Sequence, residues 1–171
     1  YDPESNTYLP TIKNKKEFSF NSLKKNNKLI NHDWSASLVD LGDGVAGLEF
    51  HSVLKADLNP IDGSIMQSIQ NAIEWVKDSG YSGLVISGDS TNFSAGANLN
   101  LILNAAQRKD WDGIELISKH MQDIMQNVRF SSFPVVAAPF GLVLGGGFEV
   151  IGACDKIIAA AESYIGLVEV G

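Results

Sequence analysis

Two glutamates lie in short apolar runs near the end of the 171-residue chain. Glu149 follows three glycines and a phenylalanine, and Glu169 stands between two valines. Burial of a carboxylate raises its pKa and makes it usable as a general acid or base near neutral pH. Two such groups across a substrate could add or remove the elements of water. The alternative is that one or both face solvent or pair with a cation, which is the usual environment of a glutamate.

Two clusters of small residues indicate where backbone N–H groups could meet a ligand. One is Phe-Ser-Ala-Gly-Ala-Asn at 93–98, and the other is the three glycines at 145–147, which open the helix that contains Glu149. Small residues allow a close backbone approach, and a helix N-terminus favours negative charge. Two converging N–H groups would form an oxyanion hole for a developing enolate or tetrahedral oxyanion. The alternative, that the glycines only permit tight packing of helix on sheet, stays open at this stage.

Other patterns that resemble catalytic or ligand sites do not meet their requirements. The glycines in 42–47 spell G-x-G-x-x-G, but residues 48–51 continue as a strand, whereas a dinucleotide motif must open a helix. The glycines in 141–146 lack the Lys and Ser or Thr of a phosphate loop. The three histidines have no paired spacing, so we expect no metal site, and no nucleophile motif is present. Cys154 is predicted to be a small buried hydrophobic residue.

The elements that must position these residues follow from hydrophobic periodicity. Asp-Gly between two β-prone runs predicts a hairpin, and strands that then alternate with helices predict an α/β core with covered sheet faces. Asp62 or Ser64 should cap the first long helix, and Gly80 should end it. The predicted elements, in order, are a hairpin (37–41 with 45–50), a helix (65–76), a strand (84–87), a helix (114–128), a strand (135–138), a helix (147–153) and a strand (156–160).

Composition narrows the class of protein. The chain is 44% hydrophobic and 19% charged, which is typical of a globular protein. No apolar run approaches the roughly 18 to 20 residues of a membrane span. A net charge of −7 argues against a nucleic-acid-binding protein. The single cysteine excludes an internal disulfide framework and fits a reducing compartment, so we predict a cytoplasmic location.

The first 32 residues differ in composition from the rest. They hold six lysines against three acids, a net charge of +3 that leaves −10 for the remainder, and they are rich in asparagine. This composition predicts a linker or an arm laid over a surface. We therefore predict two parts, a linker or arm at 1–33 that follows a preceding domain and a folded domain at 34–171. A start at Tyr1 without a signal peptide and an end inside an apolar run favour a piece of a longer protein.

Four segments resemble the enoyl-CoA hydratase (crotonase) superfamily in order and spacing. They are FSAGANL at 93–99, PVVAAPFG at 134–141, LGGGFEV at 144–150 and GLVEVG at 166–171. The resemblance covers about residues 34–171. Residues 37–45 and 93–99 look most like the hydratase region that follows a 3-hydroxyacyl-CoA dehydrogenase in bacterial fused β-oxidation enzymes. The resemblance implies an α/β, crotonase-like spiral of repeated ββα units, truncated before the C-terminal helices of the family.

The resemblance also implies a role for individual residues. Ala97 and Gly146 match the positions whose backbone N–H groups bind the thioester oxygen. Glu149 and Glu169 match the first and second catalytic glutamates. Further positions match residues that line the acyl-CoA, namely Ala95, Asn98, Leu99 and Asn100, and the loop 54–58 falls where the family contacts the CoA moiety.

The implied reaction is hydration of a trans-2-enoyl-CoA to a 3-hydroxyacyl-CoA in fatty-acid β-oxidation. Two alternatives remain: a Δ3-Δ2 enoyl-CoA isomerase, which can use the second carboxylate alone, and a non-catalytic acyl-CoA-binding module of a larger fused enzyme. The resemblance implies no cofactor in this fragment, and NAD only if the parent chain carries a dehydrogenase. The expected partners are the acyl-CoA substrate and either further copies of the chain or an intramolecular dehydrogenase domain, but no nucleic acid.

Overall fold

The computed structural model describes residues 4–8, 19–53 and 55–168, which form a mixed α/β fold. Six strands form one sheet in the order β1-β2-β3-β4-β5-β7, antiparallel from β1 to β3 and parallel from β3 to β7. Strands β6 and β8 pair in parallel as a second, smaller sheet. The elements are α1 (Phe20–Lys25), β1 (Leu29–His32), β2 (Ala36–Gly42), β3 (Val45–Phe50), α2 (Gly63–Ser79), β4 (Gly83–Ser87), α3 (Leu99–Gln107), α4 (Trp111–Arg129), β5 (Val135–Ala137), β6 (Leu142–Leu144), α5 (Gly146–Ala153), β7 (Lys156–Ile157) and β8 (Tyr164–Gly166).

The predicted hairpin is confirmed as β2 and β3. Asp43 and Gly44 occupy the turn with φ of +53° and +73°, the left-handed pair that a two-residue type I′ turn requires. Gly47 lies within β3, paired with Val39, so the glycines of 42–47 do not open a helix. The rejection of a dinucleotide-binding motif is therefore confirmed.

Helix α2 covers one face of the large sheet. Its capping is as predicted: the Asp62 carboxylate accepts the Ile65 N–H at 2.9 Å, and Gly80 ends the helix with φ of +76°. The apolar side of the helix, which includes Ile65 and Ile69, is buried in the main core with strand residues such as Leu48. Helix α4 begins at Trp111 after its N-cap, Asp110, whose carboxylate accepts the Gly113 N–H, and it packs against α2, α3 and α5.

Residues 19–33 are packed against the sheet. Phe20 of α1 is 3% exposed, and the Lys24 ammonium lies 2.6 Å from the carboxylate of Glu49, whose side chain is 4% exposed. Strand β1 pairs with β2 as the edge of the sheet, so the predicted boundary near Asp33 is not a break in the described structure. An arm or linker stays a prediction for residues 1–18, of which only 4–8 are described.

Asp33 connects the turn after β1 to α2. Its Oδ1 accepts the backbone N–H groups of Ser35 at 2.9 Å and Ala36 at 2.8 Å, and its Oδ2 accepts the hydroxyl of Ser68. Burial raises the pKa of Asp33, but the hydrogen bonds from Ser68, Ser35 and Ala36 together outweigh burial. The pKa of this carboxyl therefore lies below its ordinary value.

This lowered pKa makes the stability of the fold depend on pH through Asp33. Its contribution is complete above the unfolded value of about 3.9 and is lost as the pH falls through the lower folded value. We expect Asp33→Asn to reduce the free energy of unfolding at pH 7 by about 1–2 kcal/mol and to flatten its decline below pH 4. Urea unfolding at pH 7, 5, 4 and 3 measures both effects. Asp78→Asn, at an exposed carboxylate on α2, is the control, and an equal pH dependence in the two variants would contradict the prediction.

Candidate active site

The loop at 93–98 is held by backbone hydrogen bonds on two sides. The Ala95 N–H donates to the carbonyl of Leu58 at 2.7 Å. Ser94 exchanges two hydrogen bonds of 3.0 Å with β6, one through its N–H and one through its carbonyl. The loop is therefore fixed between the segment that follows β3 and the strand that leads into the glycines at 145–147.

The N–H group of Ala97 faces away from the segment that holds it. The carbonyl of Gly96, which belongs to the same peptide unit, accepts the Ile61 N–H at 2.8 Å. Because C=O and N–H point in opposite directions across a trans peptide, this bond directs the Ala97 N–H away from Ile61. Gly96 has φ of +101°, which favours glycine. No hydrogen bond joins the Ala97 N–H to any other described residue.

The N–H group of Gly146 is oriented in the same way. The carbonyl of Gly145 accepts the Glu149 N–H at 3.0 Å, while the Gly145 N–H donates to Gly166 at the end of β8. The Gly146 N–H thus points out of the N-terminus of α5, where N–H groups have no partner within the helix. No side chain caps α5, and no acceptor for the Gly146 N–H is found in the described ranges.

The backbone segments that carry these two N–H groups approach each other closely. A Cβ built on Gly146 would be 3.3 Å from the Ala97 nitrogen, and one on Gly96 would be 3.9 Å from the Gly146 nitrogen. A Cβ on Gly147 would be 2.8 Å from both the Cβ and the carbonyl oxygen of Ser94. The structure thus brings together the two positions predicted as an oxyanion hole. Both alternatives for these glycines therefore apply, each to a different residue. Gly147 allows tight packing on Ser94, and Gly146 has the N–H group beside Ala97 for which no described residue is an acceptor.

A cavity of about 470 Å³ borders Ala97. This volume lies within the usual range for small-molecule sites. Lys55 is the only cationic side chain among the described residues of its wall. All four residues predicted to line the acyl-CoA are in that wall, which consists of Lys55, Leu58, Pro60, Ala95, Ala97, Asn98, Leu99 and Asn100.

Of the two predicted glutamates, only Glu149 is described. It lies on the first turn of α5 and is exposed. The burial that its apolar sequence neighbours suggested is therefore not found. The buried side chains of α5 are instead those of residues such as Val150 and Ile151. Glu169 lies outside the described residues. The strand that precedes it, β8, runs parallel to β6, so both strands end at the same edge of the small sheet.

Sequence reasoning missed the backbone of residues 58–61 as a support of the site. The available signal was Asn59-Pro60, a dipeptide typical of turns. The predicted CoA-contacting loop at 54–58 is described except for Leu54, and Lys55 and Leu58 line the cavity.

Cys154 has the buried position that its sequence context predicts. Burial, followed by the nearby carboxylate of Asp155, raises the pKa of its thiol to about 12. Its Sγ donates to the carbonyl of Val150 at 3.4 Å. Such a thiol is not a usable nucleophile near neutral pH.

The described ranges contain no cluster of three or more His, Cys, Asp or Glu residues that could hold a metal ion. Within the same ranges, no helix combines the length and the apolar character that crossing a bilayer requires.

Comparison with known proteins assigns the chain to a family. Residues 42–171 match the enoyl-CoA hydratase/isomerase model, and the chain belongs to this family, as its motifs predicted. A probable 3-hydroxyacyl-CoA dehydrogenase of Bacillus subtilis is 41% identical over 164 residues, which are 96% of this chain and 20% of that protein. A putative fatty acid oxidation complex trifunctional enzyme of Rickettsia prowazekii is 29% identical over 89% of this chain and 21% of that protein. The predicted likeness to bacterial fused enzymes is confirmed by these relatives.

Solved structures confirm the crotonase-like α/β fold. An enoyl-CoA hydratase from Geobacillus kaustophilus has a TM-score of 0.70 at 23% identity and covers 80% of this chain and 50% of its own. An enoyl-CoA hydratase/carnithine racemase from Magnetospirillum magneticum has a TM-score of 0.65 at 25% identity, over 82% and 51%. The chain thus spans about a fifth of those two curated relatives and about half of the solved structures that it matches.

Two glycines of α5 provide a matched test of the packing beneath the site. We expect Gly147→Ala to lower the free energy of unfolding by about 1–3 kcal/mol, because its Cβ would overlap Ser94. Gly152→Ala, which meets open space on the same helix, should raise that energy by about 0.5–1 kcal/mol. Urea unfolding measures both. Similar effects of the two substitutions would contradict the close approach of α5 to Ser94.

Proposed function

We propose that this chain supplies a hydratase reaction, the addition of water to a trans-2-enoyl-CoA to give a 3-hydroxyacyl-CoA. The observation that carries the proposal is the pair of N–H groups of Ala97 and Gly146, adjacent to each other where Ala97 borders the cavity. Membership of the enoyl-CoA hydratase/isomerase family supports the class of substrate.

The proposed mechanism begins at the thioester carbonyl. Its oxygen accepts both N–H groups, which draws electron density from the conjugated double bond and makes Cβ electrophilic. As hydroxide from a bound water adds to Cβ, the electron pair of the double bond moves toward the oxygen and the enolate is stabilised. Each such donor is typically worth roughly 3–4 kcal/mol of barrier.

The two glutamates are proposed to hold and activate the water. Glu149 follows Gly146 by three residues, and positions three apart share one side of a helix. We assign Glu169 the delivery of a proton to Cα as hydroxide bonds to Cβ. The proton that the water loses passes to the carboxylate pair, so the pair ends the cycle with the proton count at which it began.

The parent polypeptide is proposed to join this unit to a 3-hydroxyacyl-CoA dehydrogenase, which would oxidise the product with NAD. The names of the relatives and the one-fifth share of their length that this chain spans support the proposal. Hydration itself uses only substrate and water. We propose that further copies of the chain or the dehydrogenase domain contact the exposed apolar side chains of α3, such as Leu101 and Leu103. A cytoplasmic location is proposed because Cys154 is a free thiol.

Hydration of crotonyl-CoA by the full-length parent polypeptide tests the proposal, followed by loss of the conjugated thioester absorbance. We expect Glu149→Gln and Glu169→Gln each to lower kcat by about 10²–10⁴-fold, because each removes a general acid or base. Glu115→Gln, at an exposed glutamate on α4, should leave kcat unchanged.

Other outcomes of this assay would replace the proposal. Conversion of a 3-enoyl-CoA to a 2-enoyl-CoA without hydration, with sensitivity at Glu169 alone, would identify an isomerase. CoA-ester binding without either reaction would identify a binding module.

A substitution at Gly146 tests the N–H pair separately from the carboxylates. The Cβ of Gly146→Ala would press on the Ala97 nitrogen, so we expect kcat to fall by about 10²–10³-fold. Binding of a saturated acyl-CoA, measured by calorimetry, should weaken much less. Gly152→Ala is the control, and an unchanged kcat in Gly146→Ala would refute the assignment of this pair.

A further inference from the structure

The buried side chain of Asn59 makes hydrogen bonds to the segments that follow β3 and β4. It is 1% exposed, and its Oδ1 accepts the Ser52 N–H at 2.7 Å. Its Nδ2 lies 3.0 Å from the Phe50 carbonyl, 2.8 Å from the Ser90 hydroxyl and 3.3 Å from the Asn92 carbonyl. The carboxamide thus joins the end of β3 to the segment that follows β4, using donors and acceptor together.

The backbone and the carboxamide both restrict the residue type at this position. Asn59 has φ of +48°, a left-handed conformation that asparagine tolerates better than most residues. Aspartate tolerates it as well, but a carboxylate has no N–H to offer and would face two carbonyl oxygens. Glycine at this position would allow the same backbone conformation but would lose every hydrogen bond of the side chain.

The residues on both sides of Asn59 hold the chain around the Gly96–Ala97 peptide. Leu58 accepts the N–H of Ala95, while Ile61 donates to the Gly96 carbonyl and accepts the Asn98 N–H at 3.0 Å. The direction of the Ala97 N–H therefore depends on where residues 58–61 lie. The carboxamide of Asn59 holds this segment from inside the fold, beside the backbone bonds of Leu58 and Asn59 to Lys55.

We propose that Asn59 is a positioning residue that sets the direction of the Ala97 N–H, one of the two donors of the oxyanion hole. The inference rests on the proposed hydratase function. Asn59 is absent from the described wall of the cavity, although Leu58 and Pro60 belong to it, so its effect on the substrate is indirect. Loss of its bonds lets the 58–61 segment shift, and a shift of about 1 Å at a reacting centre can reduce the rate 10²-fold.

The test compares Asn59→Asp and Asn59→Gly with the unaltered full-length polypeptide. We expect kcat for crotonyl-CoA to fall about 10–100-fold in both, with KM changed by less than about threefold. Asn71→Asp is the control, because the exposed Asn71 bonds to the described part of the chain only through its oxygen, which accepts from Gln67. If either variant does not fold, Ser90→Ala removes one partner of the carboxamide and should lower kcat in the same direction.

A spectroscopic measurement separates positioning from loss of stability. Butyryl-CoA labelled with ¹³C at the carbonyl is not hydrated, and its carbonyl stretch moves to lower frequency as hydrogen bonds to the oxygen strengthen. We expect a large downshift in the unaltered protein and a smaller one in both Asn59 variants. A full downshift in folded variants, or a full kcat, overturns the role of Asn59 while the hydratase proposal stands. No downshift and no turnover in the unaltered protein overturns the hydratase proposal itself.

Discussion

The site depends on one property of the peptide unit, the opposite directions of its C=O and N–H groups. Two carbonyls, those of Gly96 and Gly145, are bonded on the inner side, one to Ile61 and the other within α5. The two N–H groups on their outer side are thereby left without a hydrogen-bond acceptor among the described residues, in neighbouring stretches of backbone. Glycine at 146 lets the two segments approach this closely, because a Cβ there would lie only 3.3 Å from the Ala97 nitrogen.

Four segments far apart in sequence meet at this point. Residues 58–61 follow β3, 93–98 follow β4, 145–147 follow β6, and Gly166 ends β8. All four strands are members of parallel pairs, β3 with β4 and β6 with β8. Parallel strands end at the same edge, so the sheets gather the segments and loop contacts complete the arrangement.

The sequence predicts elements whose signals are local. Asp43-Gly44 and the caps of α2 define the hairpin and the helix, because turn and cap residues act on their own neighbours. Strand β1 was missed since its pairing with β2, rather than an apolar pattern of its own, holds it in the sheet. The positions of Ala97 and Gly146 were predicted from the family resemblance of their motifs. The exposure of Glu149 depends instead on which side of α5 faces the core. That side is readable in principle, because Gly147, Val150 and Ile151 recur at helical spacing as the buried side, and Glu149, two residues from both Gly147 and Ile151, lies off it.

The contact between Lys24 and Glu49 bears on where this protein can be cut. The family match begins at residue 42, yet α1 supplies the ammonium for a carboxylate whose side chain is 4% exposed. Trimming the gene to the family match would remove that ammonium together with the buried Phe20, β1 and most of β2, and would leave β3 without its antiparallel neighbour. The Bacillus subtilis relative matches 96% of the chain, which includes most of residues 1–33. For expression, the practical unit therefore starts before Phe20.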